Sequence, residues 1–274
     1  MKLLLILLLI GFLLWFLFHG RRKHPDWAAL RGVRYAHRGL HAKPAIPENS
    51  VPAFRRAVEH GYGAELDVHL TRDGRLAVIH DSTLDRVCGR HGIVEELTAE
   101  ELSAFRLEGT EEQIPYLEDV LPLFEGKTPL IVEIKTYQGN WRAVTEKTVA
   151  CLDRFSVQYC MESFDPMVVR WLRQNRPEIV RGLLSQNFLH GSCGLSFPRR
   201  FFATALLSVP LIRPDFIAYR YRDRHDLPRV LCCVIFRTQS VYWTITSPSQ
   251  LKSVEQEGAL AIFERFEPAT KQSV

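Results

Sequence analysis

Ala64-Glu65-Leu66-Asp67-Val68-His69-Leu70, then Thr71-Arg72-Asp73-Gly74-Arg75, then Leu76-Ala77-Val78-Ile79-His80, sets the frame for the whole chain. The first part reads as a strand in which charged groups stand where apolar ones belong. Strand side chains alternate between faces, so Glu65 and Asp67 project the same way. Two carboxylates on one face of an apolar strand repel each other and are costly to bury. A divalent cation relieves that cost, and an all-oxygen set suits magnesium, calcium or manganese better than zinc. Asp73-Gly74 is a favoured hairpin pair, so Leu76–His80 is expected to return as an antiparallel strand. With Asp73-Gly74 as a two-residue loop, Arg72 pairs with Arg75 and Asp67 lies opposite His80, beside the acidic pair. A slip of one residue would place His80 opposite Leu66 instead.

The same spacing recurs downstream. Leu130-Ile131-Val132-Glu133-Ile134-Lys135 is a near-continuously apolar strand that aligns a third carboxylate, Glu133, with Lys135. Upstream, Val33–His37 reads as a strand with His37 at its end. Two histidines beside a divalent cation suit acid–base work in phosphoryl chemistry, and Arg38 and Lys135 suit phosphate oxygens. Each feature alone is ordinary. A histidine at a strand end usually makes a structural hydrogen bond, Glu-x-Asp is usually a solvated face, and Glu133 with Lys135 can be a simple ion pair. Their recurrence at successive strand ends points to a site.

Further strands are expected at Val157–Met161, Ile179–Leu184, Phe216–Tyr219, Val241–Ile245 and Leu260–Phe263, with helices after Asn49 or Ser50, over Trp141–Phe155, Met167–Gln174 and Pro248–Gln256. Strand and helix in alternation predict a parallel α/β sheet. There are nine strand candidates, one more than an eight-stranded barrel needs, and the Asp-Gly hairpin accounts for the surplus. At 274 residues the chain is of ordinary size for such a barrel. Residues 186–213 show no usable period. The net charge of +4, with scattered basic residues, argues against a nucleic-acid partner. The six cysteines, Cys88, Cys151, Cys160, Cys193, Cys232 and Cys233, lack metal-ligand spacing and read as buried, reduced thiols.

Residues Leu3 to Phe18 are apolar or glycine without exception, and no small-residue cleavage site follows them. The run is a little shorter than the ~20 residues that cross a bilayer. It is expected to be an uncleaved single-pass membrane anchor over residues 1–20, followed by a basic linker over 21–31 and a catalytic domain over 32–268. Arg21-Arg22-Lys23 after the run places that domain in the cytoplasm by the positive-inside rule.

Several of these segments are familiar. His37-Arg38-Gly39, Pro47-Glu48-Asn49-Ser50, Glu65-Leu66-Asp67-Val68, Thr71-Arg72-Asp73-Gly74, His80-Asp81, Glu133-Ile134-Lys135 and Ser163-Phe164 resemble the glycerophosphodiester phosphodiesterase family. The resemblance covers roughly residues 33 to 266. It implies a TIM-type (β/α)8 barrel, here preceded by one N-terminal transmembrane helix. It implies Glu65, Asp67 and Glu133 as ligands of one divalent cation, Mg2+ or Ca2+ with Mn2+ as a third choice. His37 and His80 become the acid and base, Arg38 and Lys135 phosphate contacts, and Glu48 and Asn49 supports. The implied reaction is attack of the glycerol 2-hydroxyl on phosphorus, expulsion of the alcohol and opening of the cyclic phosphate by water. The implied substrates are glycerophosphodiesters or lysophospholipids. The second half departs from the pattern. Trp243 fits a Trp-Thr-Val-Asn segment and would line the cleft, but Thr246 replaces the asparagine; Glu264-Arg265 stands where the family has Thr-Asp. Alternatives are a phospholipase D-like lyase that stops at the cyclic phosphate and a silent membrane-anchored barrel that serves as a scaffold.

Overall fold

The computed structural model describes residues 2–21, 24–191 and 194–269. Nine strands form in chain order: β1 Tyr35–His37, β2 Gly63–Leu70, β3 Leu76–Val78, β4 Leu130–Ile134, β5 Tyr159–Ser163, β6 Arg181–Ser185, β7 Phe216–Arg220, β8 Gln239–Ile245 and β9 Leu260–Phe263. Eight are parallel and close on themselves, because β1 pairs with β2 on one side and β9 on the other. The ninth, β3, is the antiparallel hairpin partner of β2. The structure is therefore a TIM-type barrel with one appended strand.

Period-two alternation builds the interior in layers. Tyr35, Ile131, Cys160, Leu184, Ala218, Val241 and Ile262 belong to one buried apolar cluster, together with Trp27 and Leu30. Two residues further along the same strands, on the same inward face, come His37, Glu133, Glu162, Gln186, Arg220, Trp243 and Glu264. The lower layer is thus oil and the upper layer is polar or aromatic. Space in the lower layer is tight: a Cβ on Gly182 would lie 2.1 Å from the Phe216 ring, so only glycine fits there. The outward faces of Leu66, Val132 and Met161 pack against the surrounding helices through Phe54, Val144, Val168 and Val254.

The helices begin where local chemistry predicts. Ser50 caps Val51–Glu59 by accepting from the Ala53 amide, with Pro52 in the first turn. Thr98 and Glu101 form a complete capping box. Helices at Pro166–Asn175 and Pro248–Gln256 cover the expected segments, and the helix at Trp141–Leu152 stops three residues before the expected Phe155. The aperiodic stretch contains Phe197–Thr204 and Val209–Ile212. The five described cysteines are free; Cys151, Cys160 and Cys232 are buried, while Cys193 lies outside the described residues.

The hairpin differs from expectation by one residue. Val68 pairs with Val78 and Leu70 with Leu76, so the loop has three residues, Arg72, Asp73 and Gly74. The Thr71 amide donates to the Arg75 carbonyl, and the Thr71 hydroxyl also binds Asp73 and the Arg75 amide. These bonds outweigh the two-residue turn. Asp67 therefore sits level with Ile79, whose amide donates to its carbonyl at 3.1 Å, and His80 is not Asp67's ladder partner.

The expected membrane anchor is overturned. The N-terminal helix spans Lys2–Phe18, 17 residues, and at 1.5 Å per residue reaches about 25 Å against ~30 Å of bilayer hydrocarbon. Among the described residues no helix is long and apolar enough to cross a membrane. The helix ends by docking on the barrel. Phe18 is buried, and Leu14 and Leu17 join it against Leu206, Val209 and Ile212. Arg213 donates to the carbonyls of Phe16 and His19, each at 2.8 Å. Arg21 reaches the Pro177 carbonyl at 2.6 Å, while Arg22 and Lys23 lie outside the described residues. The single-pass topology, and the cytoplasmic placement derived from it, fall with the span. Apolar composition alone does not say where a helix stops or what its last turns pack on.

Candidate active site

The upper layer opens into a cleft of about 1170 Å³ at the C-terminal ends of the strands. Its wall includes His37, Arg38, Glu48, Glu65, His80, Glu133 and Trp243 among the residues singled out from sequence. Asp67, Asn49 and Lys135 stand behind that wall, in contact with it. All ten expected residues therefore meet in one place.

At the centre lie Glu65, Asp67 and Glu133, buried, with one ligand oxygen of each within 4.8 Å of the others. The barrel register explains the convergence, since β2 and β4 pair Asp67 with Glu133 directly. Lys135 sits between them, its Nζ 2.9 Å from Asp67 and 2.6 Å from Glu133. Arg38 adds a second positive charge, its Nε 3.6 Å from Asp67. Burial raises the Glu65 carboxyl well above its ordinary range, and the neighbouring Asp67 and Glu133 raise it further. Burial also raises Glu133, against the pull of Lys135. Burial acts the same way on Asp67, but Lys135, His80, Arg38 and the Asn49 amide outweigh it and hold that carboxyl well below its usual range.

Both histidines bind a carboxylate through Nδ1. His37 Nδ1 lies 2.8 Å from Glu264 Oε2, while its Nε2 points to Glu65 at 4.0 Å. His80 Nδ1 lies 2.6 Å from Asp81 Oδ1. With Nδ1 engaged, Nε2 is left for other partners. Burial lowers the His37 pKa, opposed by the Glu264 bond. Asp81 in turn binds Arg86, and Arg86 reaches Glu48 at 2.7 Å. Glu48 also accepts from Arg38 at 2.7 Å and from Lys43. Although burial opposes its charge, those three cations hold the Glu48 carboxyl well below its ordinary range. Asn49 donates from Nδ2 to Asp67 at 2.9 Å.

The backbone that presents these groups is unusual. Arg38 has φ 55° and Asn49 φ 52°, the left-handed region that side chains other than asparagine rarely enter. Gly39 follows at φ 79°, where a Cβ would meet Ala53 at 2.9 Å. The opposite wall is aromatic. Trp243 donates to the Ala218 carbonyl at 3.2 Å and meets Phe164 edge-on at 5.8 Å, and Phe164 meets Phe188 at 6.0 Å.

Glu264 and Glu162, both in the cleft wall, are not among the residues that the sequence singles out. In the sequence Glu264 stands out only as a departure from Thr-Asp, yet it binds His37 Nδ1. Glu162 is 1% exposed, lines the cleft and has no hydrogen-bond partner on either oxygen among the described residues. Its signal was the one that singled out Glu133: a charge in the interior of an apolar strand.

The sequence profile described as the Glycerophosphoryl diester phosphodiesterase family matches residues 37–189, which carry most of this wall. The chain belongs to that family. Membership makes it a phosphoric diester hydrolase. Among curated relatives, the glycerophosphodiester phosphodiesterase of Caldanaerobacter subterraneus subsp. tengcongensis is 35% identical over 60% of this chain and 68% of its own. That of Bacillus altitudinis is 34% identical over 57% of this chain and 67% of its own. The fold is also shared with an Oleispira antarctica phosphodiesterase solved in complex with the product sn-glycerol-3-phosphate, with a TM-score of 0.70 at 19% identity over 89% of this chain and 95% of the other. In TIM-type barrels such a cleft sits at the carboxyl ends of the strands.

Proposed function

We propose that this cleft hydrolyses glycerophosphodiesters to glycerol 3-phosphate and an alcohol, using His37 and His80 for proton transfer and one divalent cation held by Glu65, Asp67 and Glu133. The observation that carries the reading is the pair of histidines, each braced at Nδ1 by a carboxylate, beside three buried carboxylates within 4.8 Å. The donor set fits the cation. It is all oxygen and buried, and among the described residues Lys135 and Arg38 are the lysine and arginine that pair with its carboxylates. When bound, Mg2+, Ca2+ or Mn2+ supplies charge neutralisation at the phosphoryl oxygens. The glycerol phosphate bound to the Oleispira antarctica protein supports the substrate class.

One histidine takes the proton from the glycerol 2-hydroxyl as that oxygen bonds to phosphorus. The phosphorus–alcohol bond breaks, its electron pair goes to the leaving oxygen, and the other histidine protonates that oxygen. Water then attacks the cyclic phosphate with the two roles exchanged, and both histidines return to their starting states. Arg38 and Lys135 bind the phosphate oxygens. Glu48 and Asn49 hold Arg38 and Asp67 in place, and Trp243 flanks the substrate.

The test uses the full chain stripped with chelator. Release of glycerol 3-phosphate from glycerophosphocholine and from lysophosphatidylcholine is followed with magnesium, calcium or manganese restored, beside His37→Ala and Glu65→Ala. Turnover that returns with metal and is lost in both variants is expected. Turnover indifferent to chelator, or retained by both variants, would sink the reading.

A further inference from the structure

We propose that Glu162 accepts a hydrogen bond from the terminal hydroxyl of the substrate's glycerol, so that the cleft selects deacylated glycerophosphodiesters over 1-acyl lysophospholipids; this rests on the phosphodiesterase reading above. Glu162 lies level with Glu133 across the β4–β5 ladder, one strand away from the centre of the carboxylate cluster. It is not one of the three residues whose ligand oxygens converge, so it stands beside the cation site. It is 1% exposed and lines the cleft, and neither of its oxygens has a hydrogen-bond partner among the described residues. A buried carboxyl without a donor is costly, and natural structures rarely leave one so.

The donor therefore comes from what fills the cleft. A glycerophosphodiester brings two hydroxyls. The 2-hydroxyl gives up its proton during attack on phosphorus, which leaves the terminal hydroxyl to donate. In a 1-acyl lysophospholipid that oxygen is an ester and has no proton to offer. Such a substrate leaves Glu162 unsatisfied and must also fit its chain past a buried polar group. Sites that hydrogen-bond a substrate hydroxyl discriminate strongly against analogues without it.

The experiment compares kcat/KM of the full-length wild type, Glu162→Ala and Glu162→Gln on three choline phosphodiesters: glycerophosphocholine, lysophosphatidylcholine, and the propane-1,2-diol ester that keeps the 2-hydroxyl and lacks the terminal one. Wild type is expected to favour glycerophosphocholine over the propanediol ester by about tenfold or more, chiefly through KM. Glu162→Ala should bring that ratio to within about twofold of one, by slowing glycerophosphocholine alone. Glu162→Gln, which still offers an acceptor, should keep most of the preference. Calcium affinity, read by calorimetry, should be unchanged in both variants. A wild-type ratio near one overturns the proposal, as does an unchanged ratio in a folded Glu162→Ala. Loss of calcium binding in step with activity also overturns it, by making Glu162 a cation ligand. Should Glu162→Ala fail to fold in a thermal melt, the wild-type ratio and Glu162→Gln decide. A wild type inactive on all three esters removes the phosphodiesterase reading itself.

Discussion

The two walls of the cleft are built from the same barrel by the same alternation, yet they differ in kind. On the wall from β1, β2 and β4, the inward position above the apolar layer is His37, Glu65 with Asp67, or Glu133. On the wall from β6 and β8 it is Gln186 or Trp243, with Phe164 following β5. The first wall is a charged network whose members brace one another, from His80 through Asp81, Arg86 and Glu48 to Arg38. The second is held by ring contacts and single hydrogen bonds. Burying charge requires mutual compensation, so one change on the acidic wall propagates. An aromatic wall tolerates exchange and is free to set shape. Chemistry is therefore expected to reside on one side and substrate fit on the other.

The largest expected effect tests that division directly. His37→Ala should lower kcat by about 10²- to 10⁴-fold with KM little changed, as measured by steady-state kinetics. A matching rise in KM instead would assign His37 to binding. Next comes Glu264→Gln, which keeps the shape but loses the anion that braces His37 Nδ1. It should cost about 10- to 100-fold in kcat and alter the pH profile of kcat, where a merely structural role would leave the profile alone.

Glu48 probes the stability of the acidic wall. Its folded-state pKa is depressed by Arg86, Arg38 and Lys43. A depressed carboxyl contributes stability that is fully present above the unfolded pKa of ~4.3 and is lost as pH falls through the lower folded value. Glu48→Gln should therefore destabilise the protein by about 1–3 kcal/mol at pH 7, and the gap to wild type should narrow below about pH 4 in chemical denaturation. A gap constant from pH 7 to pH 3 would mean that the ion pairs contribute nothing.

On the aromatic wall the effects shrink. Trp243→Ala should raise KM several-fold, about 1 kcal/mol, with kcat within about threefold. A large fall in kcat would erase the contrast between the walls. The smallest change is Thr246→Asn, which restores the residue found in the resembling segment. Thr246 is exposed and donates to Gln250, so stability should move by less than about 0.5 kcal/mol in a thermal melt.

How well the sequence announced each group followed from how local its signal was. Glu65, Asp67 and Glu133 stood out because a charge inside an apolar strand is anomalous within a window of a few residues. Glu162, in Tyr159-Cys160-Met161-Glu162-Ser163, carried the same anomaly and could have been found by the same test. Glu264 could not. Its partnership with His37 joins positions 227 residues apart and exists only because β9 closes the barrel on β1. The register of the hairpin failed for a different reason. A single hydroxyl, that of Thr71, tips the turn from two residues to three, and its hydrogen bonds leave no trace in residue pattern. His80 reached the cleft anyway, because β3 ends at Val78 and the chain leaves the ladder before it.

By itself the sequence determined the strand order, the helices that carry a clear period, the alternation that sends carboxylates inward, and the motifs that mark the family. These depend on backbone periodicity and short-range chemistry, which operate along the chain. Tertiary structure alone decided which carboxylate braces which histidine, that Glu162 meets no hydrogen-bond partner among the described residues, and that the N-terminal helix ends against Leu206, Val209 and Ile212 instead of continuing as a span. Those outcomes depend on ring closure and on packing between distant segments, and hydropathy averaged along a chain contains no information about what lies across from it.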